Sequence, residues 1–169
     1  MYKNLIVAAF LLLIGFACKQ QATKEAEEQA TRDRKLIEAY LQENNISAEN
    51  IGDGIYYQRL QNGTGTLSPS VNDTVNVRMV GRVMYGKIIE DNRSQTNLAN
   101  ILLSRRETWW RSGVIKMKKG ERGVFFIPSI LGYGGQGFTL NRSGNVVTLV
   151  PPNSILIYDI ELVDIKLAK

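Results

Sequence analysis

The chain of 169 residues contains no histidine and only one cysteine, and both shortages narrow the chemistry open to it. Histidine is the residue most often used as a general base and as a metal ligand. A single cysteine, Cys18, allows neither an intramolecular disulfide nor a cysteine metal cluster. We therefore expect no metal and no cofactor, and the composition disfavours enzymes that depend on either.

Long apolar runs are also scarce, and the longest lies at the start of the chain. Residues 5–14 follow Lys3 and are too short to span a bilayer, which needs about 20 residues. Ala17 and Cys18 come soon after, as in a secretory signal peptide followed by a lipidated cysteine. We expect a signal peptide over residues 1–17 and palmitate-type acylation of Cys18. A secreted protein with an incidental cysteine and an uncleaved anchor are the alternatives.

This leader predicts a protein of the bacterial cell envelope, held by its lipid on the periplasmic side of a membrane, which we expect to be the outer one. Residues 18–30 have almost no aromatic or β-branched side chains and are interpreted as a solvated tether. In residues 31–53, apolar residues recur at helical spacing, so we expect an amphipathic helix and a linker, with the helix starting at Thr31 and ending at Asn44 and Asn45. The apolar positions of this helix are Leu36, Ile37, Tyr40 and Leu41.

The rest of the chain alternates in the manner of β-strands. Such segments occur at residues 54–61, 74–85, 88–89, 123–127 and 155–165. One short helix with an irregular lead-in is expected within residues 98–114. The pattern predicts an α+β fold of about five antiparallel strands around one short helix.

Four segments in the second half of the chain carry a resemblance to a known family. They are the run from Gly113 to Gly120, the Phe-Ile-Pro that ends at Pro128, the Leu-Gly-Tyr-Gly around Tyr133, and residues 150–162, which begin with Val-Pro-Pro. In this order and at this spacing they resemble the FK506-binding-protein (FKBP) type of peptidyl-prolyl cis-trans isomerase. The resemblance extends over residues 54–166 and implies an antiparallel sheet curled around the short helix.

The resemblance also implies a set of site residues. Trp110 matches the tryptophan at the floor of the family's apolar pocket, and Tyr133 matches the tyrosine whose hydroxyl contacts substrate. Glu90 stands where the family has an aspartate, and these three are the candidate catalytic residues. The candidate substrate-binding residues are Met79, where the family has tyrosine, Ile89, where it has phenylalanine, Tyr158, where it has phenylalanine, and Val150.

Two functions follow from this resemblance. The first is a prolyl isomerase that assists the folding of exported proteins, acting on proline-containing segments of unfolded or partner proteins. The alternative is an FKBP-like peptide-binding or chaperone module with little or no isomerase activity, which the loss of aromatic residues at Met79 and Ile89 favours. We expect a monomer that contacts the membrane through its lipid.

The basic residues of the chain raise the question of whether it binds an acidic partner. The net charge is +5, and several of the basic residues lie between positions 105 and 122. An exported protein is not expected to bind nucleic acid. The basic cluster is interpreted as an ordinary solvated face, with anionic lipid or acidic client proteins as alternatives.

Overall fold

The computed structural model describes residues 2–98, 100–142 and 145–168 and confirms the α+β class. The strands are β1 (Glu49–Asn50), β2 (Tyr56–Gln61), β3 (Thr74–Val83), β4 (Ile88–Asp91), β5 (Ile101–Leu102), β6 (Arg122–Ile127), β7 (Phe138–Arg142), β8 (Asn145–Val150) and β9 (Leu156–Lys166). The main sheet has the order β1-β2-β6-β9-β3-β4, and β5 pairs with β3. Strands β7 and β8 form a separate hairpin.

The long strand β9 lies at the centre of the main sheet, between β3 and β6, and all pairings are antiparallel. Its alternation places Leu156, Tyr158, Ile160 and Leu162 in the core, as the sequence predicts. The five longer strands of this sheet are the predicted ones, and β1 and β5 add two residues each. In β3, the register with β4 shifts between Gly81 and Arg82, which marks a β-bulge.

A short helix, α2 (Thr108–Gly113), packs against the sheet and contributes to the main hydrophobic core. Single 3-10 turns precede it at Leu103–Arg105 and follow it at Val114–Lys116. Both of its tryptophans, Trp109 and Trp110, are buried in the main core. This confirms the prediction of one short helix with an irregular lead-in.

The N-terminal helix, α1 (Tyr2–Glu43), is longer than the sequence analysis predicted. It begins upstream of Thr31, so the start predicted at that residue is wrong, and the segment interpreted as a tether is helical. That segment is rich in Ala, Glu, Gln and Lys, which have high helix propensity, and Gln21 bonds Glu25 one turn away. The helix ends where predicted, because Asn45 adopts a left-handed φ of 53°.

The C-terminal half of α1 packs on the outer face of the sheet. Ile37, Tyr40 and Leu41 are buried against Phe126 and Ile157 in a second, smaller core. Leu36 is 51% exposed and does not belong to that core, contrary to the predicted stripe.

The buried carboxylate of Asp33 fixes this helix to the domain. It accepts hydrogen bonds from the backbone N–H and the hydroxyl of Ser129, at 2.7 and 2.6 Å. Because a buried carboxylate needs such donors, this contact ties α1 to one position on the domain.

The side chains of residues 2–20 lie outside the described part of the structure, and Cys18 is among them. Signal-peptide cleavage, lipidation of Cys18 and the domain boundaries therefore stay predictions. Where side chains are described, no helix combines the length and apolarity needed to cross a membrane.

Candidate active site

A cavity of about 360 Å³ lies between the short helix, the Tyr133 loop and the β7–β8 hairpin. Four separate segments of the chain contribute its walls, and we call it the prolyl pocket. Its lining residues are Ile89 and Glu90 from β4, Arg106 and Glu107 from the segment before α2, Tyr133, Phe138, Leu149 and Val150 from the loop and hairpin, and Tyr158 from β9.

The structure brings most of the predicted site residues together. Ile89, Glu90, Tyr133, Val150 and Tyr158 all line the prolyl pocket. The other two predicted site residues, Met79 and Trp110, do not line this pocket. Met79 lines an adjoining cavity of about 530 Å³, which shares Glu90 and Arg106 with the prolyl pocket. Trp110 is fully buried and lies behind Arg106.

Tyr158 forms the inner wall of the pocket. Its ring packs 4.7 Å from the ring of Trp109, and its hydroxyl donates a hydrogen bond to Glu90 at 3.3 Å. Burial raises the pKa of this phenol, and the negative charge of Glu90 raises it further. The phenol therefore stays protonated and is available only as a neutral donor.

Tyr133 forms the outer wall together with the hairpin. Its ring stacks on that of Phe138 at a centroid distance of 5.2 Å. Burial raises the pKa of its phenol, with a further contribution from Glu107. The Tyr133 hydroxyl is thus a neutral hydrogen-bond donor at physiological pH, as contact with a substrate carbonyl requires.

The floor of the pocket differs from the expected apolar surface. The guanidinium of Arg106 lies over the Trp110 ring, with Cζ 4.8 Å from the ring centroid. Arg106 also lies 3.2 Å from Glu107 and 3.8 Å from Glu90. Within the described residues, the buried indole N–H of Trp110 has no hydrogen-bond partner. A cation therefore covers the indole that the sequence analysis assigned as the floor.

Sequence reasoning did not include Arg106, Glu107, Phe138 or Leu149 among the site residues. The first two lie in the stretch before Trp110, and no local sequence pattern indicates that their charged side chains line a pocket. Phe138 and Leu149 belong to the β7–β8 hairpin, and only the folded structure brings this hairpin beside the pocket.

The site contains no metal-binding arrangement among the residues that the structure describes, since no group of three or more Asp, Glu or Cys side chains converges there. The pocket instead offers aromatic and aliphatic walls, two neutral phenols and one partly neutralised ion cluster. Such a site can desolvate and orient a peptide, but it presents no activated nucleophile.

Comparison with known proteins agrees with this geometry. The family model described as FKBP-type peptidyl-prolyl cis-trans isomerase matches residues 65–163. The chain is 27% identical over 158 residues to the FKBP-type isomerase FkpA of Escherichia coli, covering 94% of this chain and 54% of that protein. It is 31% identical over 115 residues to FK506-binding protein 1 of Yarrowia lipolytica, covering 67% of this chain and 99% of that protein.

Solved structures give the same result. The crystal structure of FkpA from Escherichia coli matches with a TM-score of 0.68 and 26% identity, covering 98% of this chain and 72% of that one. A crystal structure of a peptidyl-prolyl cis-trans isomerase from Pseudomonas syringae matches with a TM-score of 0.66 and 28% identity. The match covers 83% of this chain and 96% of that one.

The fold and the pocket therefore define an FKBP-type domain. The chain belongs to the family of FKBP-type peptidyl-prolyl cis-trans isomerases. It spans about half the length of the first curated relatives that it matches.

Proposed function

We propose that this protein is a peptidyl-prolyl cis-trans isomerase that assists the folding of exported proteins, with proline-containing segments of unfolded chains as substrates. The observation that carries the proposal is the prolyl pocket, whose lining combines the apolar surfaces of Ile89, Val150 and Tyr158 with the hydroxyl-bearing Tyr133. Membership in the family of FKBP-type isomerases supports the assignment of this pocket as the binding site for proline.

The mechanism depends on desolvation and orientation. Rotation about an X–Pro amide crosses a barrier of about 18–20 kcal/mol, and the twisted amide has lost its conjugation and is less polar than the planar one. An apolar pocket therefore binds the twisted state better than the ground state. The neutral Tyr133 hydroxyl orients the peptide by donating to one of its carbonyl oxygens, and Tyr158 holds Glu90 at the pocket edge.

An assay of the whole chain in detergent tests the proposal. Isomerisation of a proline peptide is measured by NMR exchange, which needs no coupling protease. We expect turnover that falls by a modest factor in Tyr133→Phe, since one hydrogen bond is worth about 0.5–1.5 kcal/mol. The matched control is Tyr85→Phe, an exposed phenol outside the prolyl pocket. Absence of turnover in the folded wild type would contradict the proposal.

A second function, peptide binding with little turnover, is favoured by one observation. The Arg106 guanidinium covers Trp110, so a proline ring meets a cation where the resembling family offers an indole. Under this alternative, peptides bind with no change in their isomerisation rate, and the same NMR experiment separates the two functions.

The proposal includes the location of the protein. We infer from the apolar leader and Cys18 that it is a lipid-anchored protein of the bacterial envelope, facing the periplasm from the outer membrane. There it would meet exported chains before they fold.

A further inference from the structure

Three charged side chains surround the prolyl pocket. Glu90, Arg106 and Glu107 all line it, and their side chains are 36%, 27% and 26% exposed. Two carboxylates and one guanidinium leave one net negative charge in the lining.

The positive charge of Arg106 is largely engaged inside the site. Its guanidinium lies over Trp110 and its Nε is buried, 3.2 Å from Glu107. Glu90 is farther from it, at 3.8 Å, and is the most exposed of the three. The negative charge that a substrate meets is therefore greatest at Glu90, the more exposed of the two carboxylates.

The two phenols of the pocket are consistent with this field. After burial, the largest contribution that raises the pKa of Tyr133 comes from Glu107, and that for Tyr158 comes from Glu90. Arg106 lowers the pKa of both phenols: its effect is smaller than that of either carboxylate at Tyr158, but larger than that of Glu90 at Tyr133.

Outside the lining, Lys87 donates a hydrogen bond to a backbone carbonyl of β8, and further charged groups lie on the Met79 side. Arg105 and Asp91 line the adjoining cavity, and Arg93 already holds Asp91 at 2.7 Å. Neither Arg105 nor Asp91 lines the prolyl pocket itself. The adjoining cavity adds one arginine and one aspartate and therefore no net charge, whereas the lining of the prolyl pocket has one net negative charge.

We propose that Glu90 and Glu107 determine substrate preference, so that the site favours prolines flanked by lysine or arginine over prolines flanked by an acidic residue. This inference rests on the proposed isomerase function. A cationic side chain next to the proline is attracted to Glu90, whereas an acidic one is repelled by the net negative lining. For partly exposed charges at this spacing, we expect a preference of about fivefold in kcat/KM.

The test compares three peptides that differ only in the residue before proline, which is Lys, Leu or Glu. Rates are measured with the whole chain by NMR exchange. We expect a Lys-to-Glu ratio of about five in the wild type. Glu107→Gln should lower this ratio, and Arg106→Gln should raise it, because the two substitutions change the pocket charge in opposite directions. Glu28→Gln, an exposed change on α1, is the matched control and should leave the ratio unchanged.

Salt gives a test that needs no substitution. Raising the ionic strength from about 0.05 to about 0.5 M should bring the wild-type ratio closer to one, because the three side chains are partly exposed. If Arg106→Gln does not fold, as judged by its melting curve, Glu107→Gln and the salt series still decide the question.

The outcomes separate the two proposals. Absence of turnover with every peptide, Leu–Pro included, overturns the isomerase function. Turnover with a ratio that neither Glu107→Gln nor salt alters overturns the charge preference and leaves the isomerase intact. A wild-type ratio below one overturns the preference as well.

Discussion

Gly81 and Tyr158 are cross-strand partners between β3 and β9, and the phenol ring occupies the space that a side chain at position 81 would need. A Cβ placed on Gly81 would lie 2.4 Å from two ring carbons of Tyr158. The glycine thus allows Tyr158 to lie flat over the strand, where its ring packs on Trp109 and its hydroxyl reaches Glu90. The shape of the prolyl pocket depends on this pair.

Gly81→Ala should therefore disturb the pocket more than an ordinary strand substitution. The methyl group must displace a buried ring, and overpacking of this kind costs about 1–3 kcal/mol. We expect a lower free energy of unfolding and weaker binding of proline peptides, measured by denaturant titration and by NMR. Gly135→Ala is the control, since a Cβ there meets only Asn153 at 3.7 Å. Equal behaviour of the two variants would contradict the role assigned to Gly81.

Trp110→Ala should cost about 3–5 kcal/mol of unfolding free energy, the usual range for truncation of a large buried aromatic side chain. Trp110 is fully buried and packs against Trp109 at 4.7 Å. The Trp110→Ala substitution should also remove the ring surface against which Arg106 packs. A melting curve that Trp110→Ala leaves unchanged would show that the ring does not support the pocket.

The sequence predicted the sheet better than it predicted the pocket. Period-two alternation is a local signal, and in β9 it assigned Leu156, Tyr158, Ile160 and Leu162 correctly to the core. Whether Met79 or Arg106 faces the prolyl pocket depends on how distant segments approach each other, which no local pattern records. The predicted start of α1 was wrong for another reason, because a segment with almost no aromatic or β-branched side chains can still be helical when its residues have high helix propensity.

Asp33 gives the next prediction, which concerns the attachment of α1. Its carboxylate accepts two hydrogen bonds from Ser129 and is almost completely buried. Asp33→Ala leaves those donors unsatisfied and should cost about 1–3 kcal/mol. Hydrogen exchange in residues 31–43 should become faster. Glu28→Ala, on the exposed side of the same helix, should change neither quantity, and equal protection of α1 in Asp33→Ala would refute the anchoring role.

Cys18 tests the proposed lipid anchor. Metabolic labelling with palmitate should label the wild type in the bacterial envelope, because the chain contains no other cysteine. Cys18→Ser should lose the label and leave the protein unprocessed or soluble. Labelled protein should fractionate with membranes. An unlabelled wild type would show that the leader directs secretion or acts as an uncleaved anchor.

The last prediction concerns the pH dependence of the free energy of unfolding, to which Tyr57 contributes at alkaline pH and Asp73 at acid pH. Burial raises the pKa of the Tyr57 phenol, which also donates to Glu121 at 2.6 Å. Its folded pKa lies above its unfolded value of about 10, so its contribution is fully present below pH 10 and is lost as the pH rises further. The backbone N–H groups of Ser70 and Ala168 lower the pKa of Asp73, so its contribution is present above about pH 4 and is lost as the pH falls further.

With no histidine in the chain, no ordinary side chain titrates between about pH 6 and about pH 8, and stability should be nearly constant over that interval. Isomerase rates should be flat over the same interval, because no proposed step transfers a proton. The measurement is the free energy of unfolding at each pH, with Tyr57→Phe and Asp73→Asn as paired variants. Tyr57→Phe should flatten only the alkaline slope, and Asp73→Asn only the acid slope. A bell-shaped rate profile within the plateau would instead reveal a titrating group in catalysis and contradict a mechanism based on desolvation.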